Sequence, residues 1–205
     1  MIYDSATRTA LLLFANVSLS SSPNGVQSLD SVLQIRSTDA GLSFTDAQRV
    51  DSRNPAYPNG PAPTSGNGIQ LRDGQAHAGR LIAAMDTAAF TGDQLLLSDD
   101  DGTSYTKSYA LHRSGLNELQ LAQLGNGSVL AVIRNSHNTG RQAVALSTDG
   151  GVTFGAVRDH SDLLTPNCQG SVLFAGGSKV LYAGPRSTSE RVRMTVLASG
   201  VPIPV

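Results

Sequence analysis

An eight-residue pattern that occurs three times constrains the fold of this chain more than any other feature. The pattern is Ser-x-Asp-x-Gly-x-Ser/Thr-aromatic, and its copies occupy residues 37–44, 98–105 and 147–154. Its Asp side chain can accept hydrogen bonds from turn amides, and its Gly permits the positive φ at which a chain reverses. The closing aromatic residue is expected to pack under the turn. Copies that start 61 and 49 residues apart predict a repeat architecture.

The three repeated segments are interpreted as structural turns. A calcium-binding EF-hand loop needs more oxygen ligands and a Glu at its end, and these segments have neither. We therefore expect them to stabilise hairpins and to take no direct part in catalysis.

The composition favours an all-β domain. A chain of 205 residues can bury a sizeable core, and only 15% of its residues are charged. No stretch has a long apolar period of 3.6 residues, which argues against amphipathic helices. The net charge is -1 and there is no basic run, so we expect no nucleic-acid partner and no affinity for an anionic membrane surface.

Targeting and redox signals are weak. The longest early apolar run, residues 10–15, is too short to span a bilayer, so we expect no membrane segment. No charged n-region with a cleavage pattern is present, so we expect no signal peptide and leave the compartment unassigned. The single cysteine, Cys168, excludes an intrachain disulfide and is typical of a buried small hydrophobic residue.

A hairpin with charged residues at its open end is predicted between residues 117 and 135. Two apolar runs flank a Gly-Asn-Gly turn at residues 125–127, which is a strong hairpin signal. Glu118 lies near the start of the first run and Arg134 near the end of the second. Because an antiparallel hairpin brings these ends together, the two charges should meet at one rim of the sheet.

The order of motifs around this hairpin resembles the sialidase (neuraminidase) family. The shared features are Asn-Glu-x-Gln at residues 117–120, Arg134-Asn135, an Arg before the third repeated turn, and Leu-x-x-Pro-x-Cys-Gln-x-Ser at residues 164–171. The repeated turns resemble the Asp boxes of that family. A Gly-x-Gly-Ile-Gln segment at residues 66–70, followed by Gly79-Arg80-Leu81, is similar as well.

The resemblance implies a fold and its extent. It implies a partial six-bladed β-propeller, with about three to four blades that are each a four-stranded antiparallel sheet. It covers nearly all of residues 1–205 but matches only the middle of a full sialidase domain, so the expectation is one incomplete domain. The Asp boxes would join the third and fourth strands of blades, on the face opposite the active site.

The resemblance also implies a site. Glu118 matches the glutamate that activates the tyrosine nucleophile of the family, and Arg134 and Arg191 match the second and third arginines that bind the carboxylate of sialic acid. The first arginine, the acid/base aspartate and the tyrosine have no matching position in this sequence. No cofactor and no metal are implied, and the four histidines show no metal-ligand spacing.

The implied function is that of an exo-α-sialidase acting on sialylated glycoproteins, glycolipids or oligosaccharides. With part of the active site unmatched, residues 1–205 are expected to be inactive alone. The alternative is a non-catalytic propeller that uses the same turns as a scaffold for glycan or protein binding. Asp boxes do not separate these functions, whereas the motifs around Glu118, Arg134 and Cys168 favour the enzyme family.

Several residues keep a second interpretation. Glu118 and Arg134 could form only an ion pair at a sheet rim, which contributes less than about 1 kcal/mol when exposed. Arg191 has Arg186 and Arg193 close by in sequence, which weakens its assignment. The loop at residues 53–68, rich in Pro, Gly and Asn, could shape a pocket rim or merely cover the sheet.

Overall fold

The fold is built from β-strands and turns. The computed structural model describes residues 1–19, 27–50, 62–72, 75–86, 93–109, 111 and 113–199. These residues hold four antiparallel sheets, and no helix occurs among them. The prediction of an all-β chain is therefore confirmed.

The sheets follow one another along the chain. The first contains β1 (Ile2–Asp4), β2 (Thr9–Leu19), β3 (Gln27–Ser37) and β4 (Gln48–Arg49). The second contains β5 (Ala62–Pro63), β6 (Ile69–Gln70), β7 (Leu81–Asp86), β8 (Asp93–Ser98) and β9 (Thr106–Lys107). The third contains β10 (Leu116–Gln123), β11 (Val129–Asn135), β12 (Arg141–Ser147) and β13 (Arg158–Leu164). The fourth contains β14 (Ser171–Gly176), β15 (Lys179–Pro185) and β16 (Met194–Ser199).

Three apolar cores lie between consecutive sheets. Leu11 and Met85 belong to the core between the first two sheets, and Leu95 and Ile133 to the core between the second and third. A third core, which includes Tyr182, joins the third and fourth sheets. Sheets that pack face to face in chain order are the blades of a β-propeller. The described residues thus form four blades, within the predicted range, and a total of six remains a prediction.

The expected four strands per blade hold for the first and third blades. The fourth blade has three strands within the described residues. In the second blade the innermost strand is divided, because β5 pairs with one end of β7 and β6 with the other. The segment between them, residues 64–68, keeps one bond to β7, from the Thr64 amide to the Ala84 carbonyl. It then leaves the sheet, so that Ser65 reaches the third and fourth blades.

All three repeated turns have the same hydrogen bonds. In the third turn the Ser147 hydroxyl lies 2.8 Å from Asp149 Oδ1 and accepts from the Gly151 amide, also at 2.8 Å. Thr153 donates its amide to Asp149 Oδ1 at 2.9 Å and its hydroxyl to Oδ2 at 2.5 Å. The turns that begin at Ser37 and Ser98 have equivalent bonds. Each carboxylate closes its turn, which supports the structural interpretation.

The aromatic residues of the turns differ in their packing. Tyr105 packs on the core shared with the first blade, and Phe154 on the core shared with the second. Each therefore contacts the preceding blade. The prediction that the aromatic residue packs under its turn is wrong for Phe44, which is 46% exposed. Phe44 belongs to the first blade, so the described residues place no preceding blade against it.

Candidate active site

The candidate site begins at a β-bulge that contains Glu118. Asn117 is paired with Arg134 and Leu119 with Ile133, so Glu118 is the extra residue between two paired positions. Its φ is 30°, a conformation that non-glycine residues rarely adopt and that bulges can accommodate. The bulge breaks the alternation of side chains along β10. Glu118 can therefore face the sheet rim while its neighbours remain buried.

Glu118 and Arg134 form the ion pair that the hairpin predicts. Arg134 Nη1 lies 2.7 Å from Glu118 Oε2, and their side chains are 22% and 28% exposed, respectively. Arg134 Nε donates a second bond, at 3.0 Å, to Oδ1 of Asn167, which lies just before the fourth blade. Two donors of Arg134 are thus held by the protein. Its Nη2 has no hydrogen bond within the described part of the chain, so it is available to an anionic ligand.

The segment between β5 and β6 connects three blades beneath this pair. The carbonyl oxygen of Ser65 accepts hydrogen bonds from Gln120 Nε2, at 2.6 Å, and from Gln169 Nε2. The Ser65 hydroxyl lies 2.8 Å from Gln169 Oε1 and 3.5 Å from Glu118 Oε1. A cavity of about 440 Å³ adjoins this network and is lined in part by Ser65, Gln120 and Gln169. Of the two interpretations of loop 53–68, its described end fits a pocket rim, while residues 53–61 lie outside the described residues.

A close approach explains the glycine next to this serine. Gly66 has a φ of +151°, and a Cβ added there would lie 1.8 Å from Gln120 Nε2. A side chain at this position would displace the Gln120 amide and strain the backbone, so glycine is favoured here.

Two opposed aspartates lie close to the ion pair. Asp86, at the end of β7, is directly paired with Asp93, at the start of β8. Burial raises the pKa of Asp86 to about 7, with a further increase from Glu118 and an opposing effect of Arg134. Burial also raises the pKa of Asp93 to about 8, with a further increase from Asp86. Both groups therefore tend to keep their protons near neutral pH.

Arg191 lies on the same rim but does not join the pair. It belongs to the connection between β15 and β16, which is closed by a bond from the Arg186 amide to the Arg193 carbonyl. The connection follows the end of β15, which pairs with the start of β14. It also adjoins the turn after β11, because Gly140 lies against Thr188. The Arg191 side chain is exposed and has no hydrogen bond or ion pair with any residue that the structure describes.

The third repeated turn lies on the opposite rim of its blade. Arg134 lies one residue before the end of β11, at the rim where β12 begins, and Ser147 ends β12 opposite Val129 at the start of β11. The turn is therefore separated from the Glu118–Arg134 pair by the length of the sheet, as the sequence predicts.

The other candidates from the sequence have structural surroundings. Cys168 is half-buried, and its carbonyl oxygen accepts bonds from Gln142 and Thr165. His77, His137 and His160 lie apart, His112 is outside the described residues, and no metal-binding group of acidic, Cys or His side chains occurs in the described ranges. Among the same residues, no helix has the length and apolarity needed to cross a membrane.

Comparison with known proteins shows the family of this chain. The family model for the BNR repeat-like domain matches residues 1–201. The chain belongs to this family. The prediction from the sequence that the chain is a sialidase-type, Asp-box propeller is confirmed. The sialidase of Micromonospora viridifaciens is 35% identical over 147 residues, which are 66% of this chain and 22% of that protein.

Solved structures show the same fold. The Hadza microbial sialidase Hz136 has a TM-score of 0.76 at 21% identity, over 97% of this chain and 42% of its own. The intramolecular trans-sialidase from Ruminococcus gnavus, in complex with oseltamivir carboxylate, has a TM-score of 0.72 at 22% identity, over 94% of this chain and 47% of its own. This BNR repeat-like chain thus spans less than half the length of these relatives.

Three residues near the ion pair, Asp86, Asp93 and Ser65, were not predicted from the sequence. Asp86 and Asp93 flank a short connection between two apolar runs, and this spacing was the available signal. Ser65 gave no signal beyond its place in a Gly-rich segment.

Proposed function

We propose that the protein is an exo-α-sialidase that releases terminal α-linked sialic acid from glycoproteins, glycolipids or oligosaccharides. One observation carries the proposal. Arg134 donates through Nη1 to Glu118 and through Nε to Asn167, and its Nη2, which has no hydrogen bond within the described residues, can receive an anion. The site lies on the blade rim opposite the third Asp box.

Arg134 supplies the recognition of charge. Sialic acid has a carboxylate on its anomeric carbon, and a guanidinium binds a carboxylate in a planar, charge-assisted contact. An arginine keeps its charge at all working pH values, and its contacts with Glu118 and Asn167 fix its orientation. The proposal assigns Arg191, on the same rim, to the same carboxylate.

Glu118 supplies the base. A tyrosine hydroxyl is a weak nucleophile at neutral pH, because its pKa is about 10. As its oxygen bonds to the anomeric carbon, its proton passes to the Glu118 carboxylate. The glycosidic oxygen leaves with a proton from a general acid. Water then attacks the anomeric carbon and gives a proton back to the deprotonated general acid, while the bond to the tyrosine oxygen breaks and Glu118 returns its proton to the tyrosine.

The proposal includes a larger propeller. The family pattern implies six blades, and its nucleophilic tyrosine and acid/base aspartate have no match in residues 1–205. Residues 1–205 expressed alone are therefore expected to show no enzyme-like turnover of a sialoside. Turnover by this segment that is abolished by Glu118→Gln would contradict that assignment.

The experiment is a hydrolysis assay on the purified native protein with a fluorogenic α-sialoside. Glu118→Gln should lower kcat at least about 100-fold, because general-base help contributes roughly 10² to 10⁴ in rate. Arg134→Lys should mainly raise KM, because the planar contact with the carboxylate is lost. The matched controls are Glu190→Gln and Arg158→Lys, which alter exposed residues and should retain activity.

Two outcomes would overturn the proposal. Full activity in Glu118→Gln would remove Glu118 from the reaction. Tight binding of a sialylated glycan without hydrolysis by the native protein would favour the non-catalytic scaffold. In that case Arg134→Lys would still weaken binding of the glycan. The effect of Glu118→Gln on kcat could not be measured, because the native protein would not hydrolyse the glycan.

A further inference from the structure

The most unusual polar group outside the proposed machinery is the pair formed by Asp86 and Asp93. The two residues are directly opposite each other on neighbouring antiparallel strands, an arrangement that is unfavourable when both carry charge. Asp93 is completely buried, and neither of its carboxylate oxygens has a hydrogen bond to any residue in the described ranges. Oδ1 of Asp86 is also buried without a partner. Two ionised carboxylates without donors would be strongly destabilising there.

Asp86 lies within electrostatic reach of the proposed site. Glu118 and Arg134 are the charged groups that act on its carboxyl. Asp86 is paired with Ala62 of β5. The segment that follows β5 reaches the bulge at Glu118, because the Thr64 hydroxyl donates to the Leu119 carbonyl at 3.1 Å. Asp86 therefore lies near the rim where Nη2 of Arg134 has no hydrogen bond to a described residue.

Among the described residues, the remaining neighbours offer Asp86 no cation to replace this interaction. β5 contributes only Ala62 and Pro63, and β8 contributes Asp93. Arg113 follows the segment that pairs with Asp93, but it is bound to Asp159 at 2.7 Å. Within the described residues, the charged groups that face Asp86 are Asp93, Glu118 and Arg134.

We propose that Asp86 is a further residue of this binding site, and that the site accepts an anionic ligand only while Asp86 is protonated. With Asp86 neutral, Glu118 is balanced by Arg134, and an incoming carboxylate meets no excess negative charge. With Asp86 ionised, two anions share one guanidinium and repel the ligand. This inference rests on the proposed function, because it assigns the carboxylate of a sialic acid as the anion.

The direction of the pH effect follows from the chemistry of a carboxyl group. Asp86 is neutral below the pKa of about 7 and negative above it. The ligand carboxylate and Arg134 keep their charges across this range. Affinity for the anion is therefore constant at lower pH and falls by up to about tenfold for each pH unit above 7.

The test uses calorimetric binding of N-acetylneuraminic acid and of its methyl ester to the native protein from pH 5.5 to 8.5. Wild-type affinity for the acid should fall above about pH 7, whereas the uncharged ester should bind weakly and with no such change. Asp86→Asn keeps the size of the side chain but cannot ionise. Its affinity for the acid should stay level across the range. The matched control is Asp46→Asn, which alters an exposed residue of the first blade. Its affinity for the acid should change with pH as in the wild type.

A second measurement needs no variant. The side-chain ¹³C resonance of Asp86 should titrate near pH 7 in the free protein, and saturation with N-acetylneuraminic acid should move that titration to higher pH. An unchanged titration would overturn the inference, as would binding with the same alkaline decrease in Asp86→Asn. If neither ligand bound at any pH, the proposed function itself would fail, and this inference with it.

Discussion

Arg80 binds Asp99 through two parallel hydrogen bonds, each 2.7 Å long, from Nε and Nη2 to the two carboxylate oxygens. The Arg80 side chain is 8% exposed, whereas that of Asp99 is 62% exposed. Nη1 of Arg80 also donates to the Gly150 carbonyl at 3.1 Å. A buried guanidinium thus connects the second Asp box, which contains Asp99, with the third, which contains Gly150.

Replacement of Arg80 should therefore loosen the contact between the second and third blades. Arg80→Ala removes three hydrogen bonds and a buried aliphatic stem, and should lower the free energy of unfolding by about 2–3 kcal/mol. Arg80→Lys should lower it less, because lysine keeps the positive charge and most of the aliphatic stem, but it should still lower it, because one ammonium cannot form both parallel bonds. Chemical denaturation provides the measurement. A loss for Arg80→Ala no larger than that for the exposed control Arg158→Ala would contradict this account.

The carboxylate of the third Asp box should matter for stability and not for chemistry. Asp149→Ala removes the bonds to Ser147 and Thr153, and should lower the free energy of unfolding by about 1 kcal/mol or more. The chemical step should remain, because this turn lies on the rim opposite Glu118. Thermal unfolding and sialoside turnover should be measured on the same sample of the native protein that carries this substitution. A variant that folds normally but loses turnover would refute the structural assignment.

Asp93 should make the protein less stable as pH rises. Its folded pKa of about 8 exceeds the ordinary value of 3.8 expected in the unfolded chain. The stability that it contributes is therefore complete below about pH 4 and is lost as pH rises toward 8. Asp93→Asn cannot ionise, so at pH 8 it should be more stable than wild type by at least about 1 kcal/mol, or about 2–4 °C in Tm.

The comparison should be repeated at pH 4, where both proteins carry a neutral side chain at this position. The advantage of Asp93→Asn should shrink there or disappear. An advantage of equal size at both pH values would show that its origin is not ionisation.

Gly66 should be essential to the shape of the site. Gly66→Ala places a methyl group where the Gln120 amide now lies, and its φ is strained for any L side chain. The displaced Gln120 would lose its bond to Ser65, so affinity for a sialic acid should fall together with stability. Gly41→Ala is the matched control, because its φ of +87° is also strained but its Cβ would meet nothing within 4 Å. Equal affinity in the two variants would contradict a role for Gly66 in the site.

The sequence predicts the parts of this architecture that depend on local signals. Asn126-Gly127 between apolar runs identifies the hairpin, and the hairpin alone brings Glu118 and Arg134 to one rim. The bulge at Glu118 could not be predicted, because one extra residue changes the register without leaving a mark in composition. The opposition of Asp86 and Asp93 depends on the register of β7 against β8 in the same way.

Contacts between blades also could not be predicted from the sequence. Asn167 meets Arg134 although 33 residues separate them, and Ser65 meets Gln169 across 104 residues. Such pairs depend on how whole sheets pack. The packing of Phe44 differed from the prediction for the same reason, since the pattern specifies a turn and not the surface against which its ring rests.

The carbonyl of Ser65 has a consequence for the motion of the molecule. One backbone oxygen on the second blade accepts from Gln120 on the third and from Gln169 beside the fourth. Small rotations of any of these sheets would stretch the same pair of bonds, so the three sheets should fluctuate together near the propeller axis. A ligand that fixes Arg134 would damp that shared fluctuation, and amide hydrogen exchange across residues 64–68 would slow.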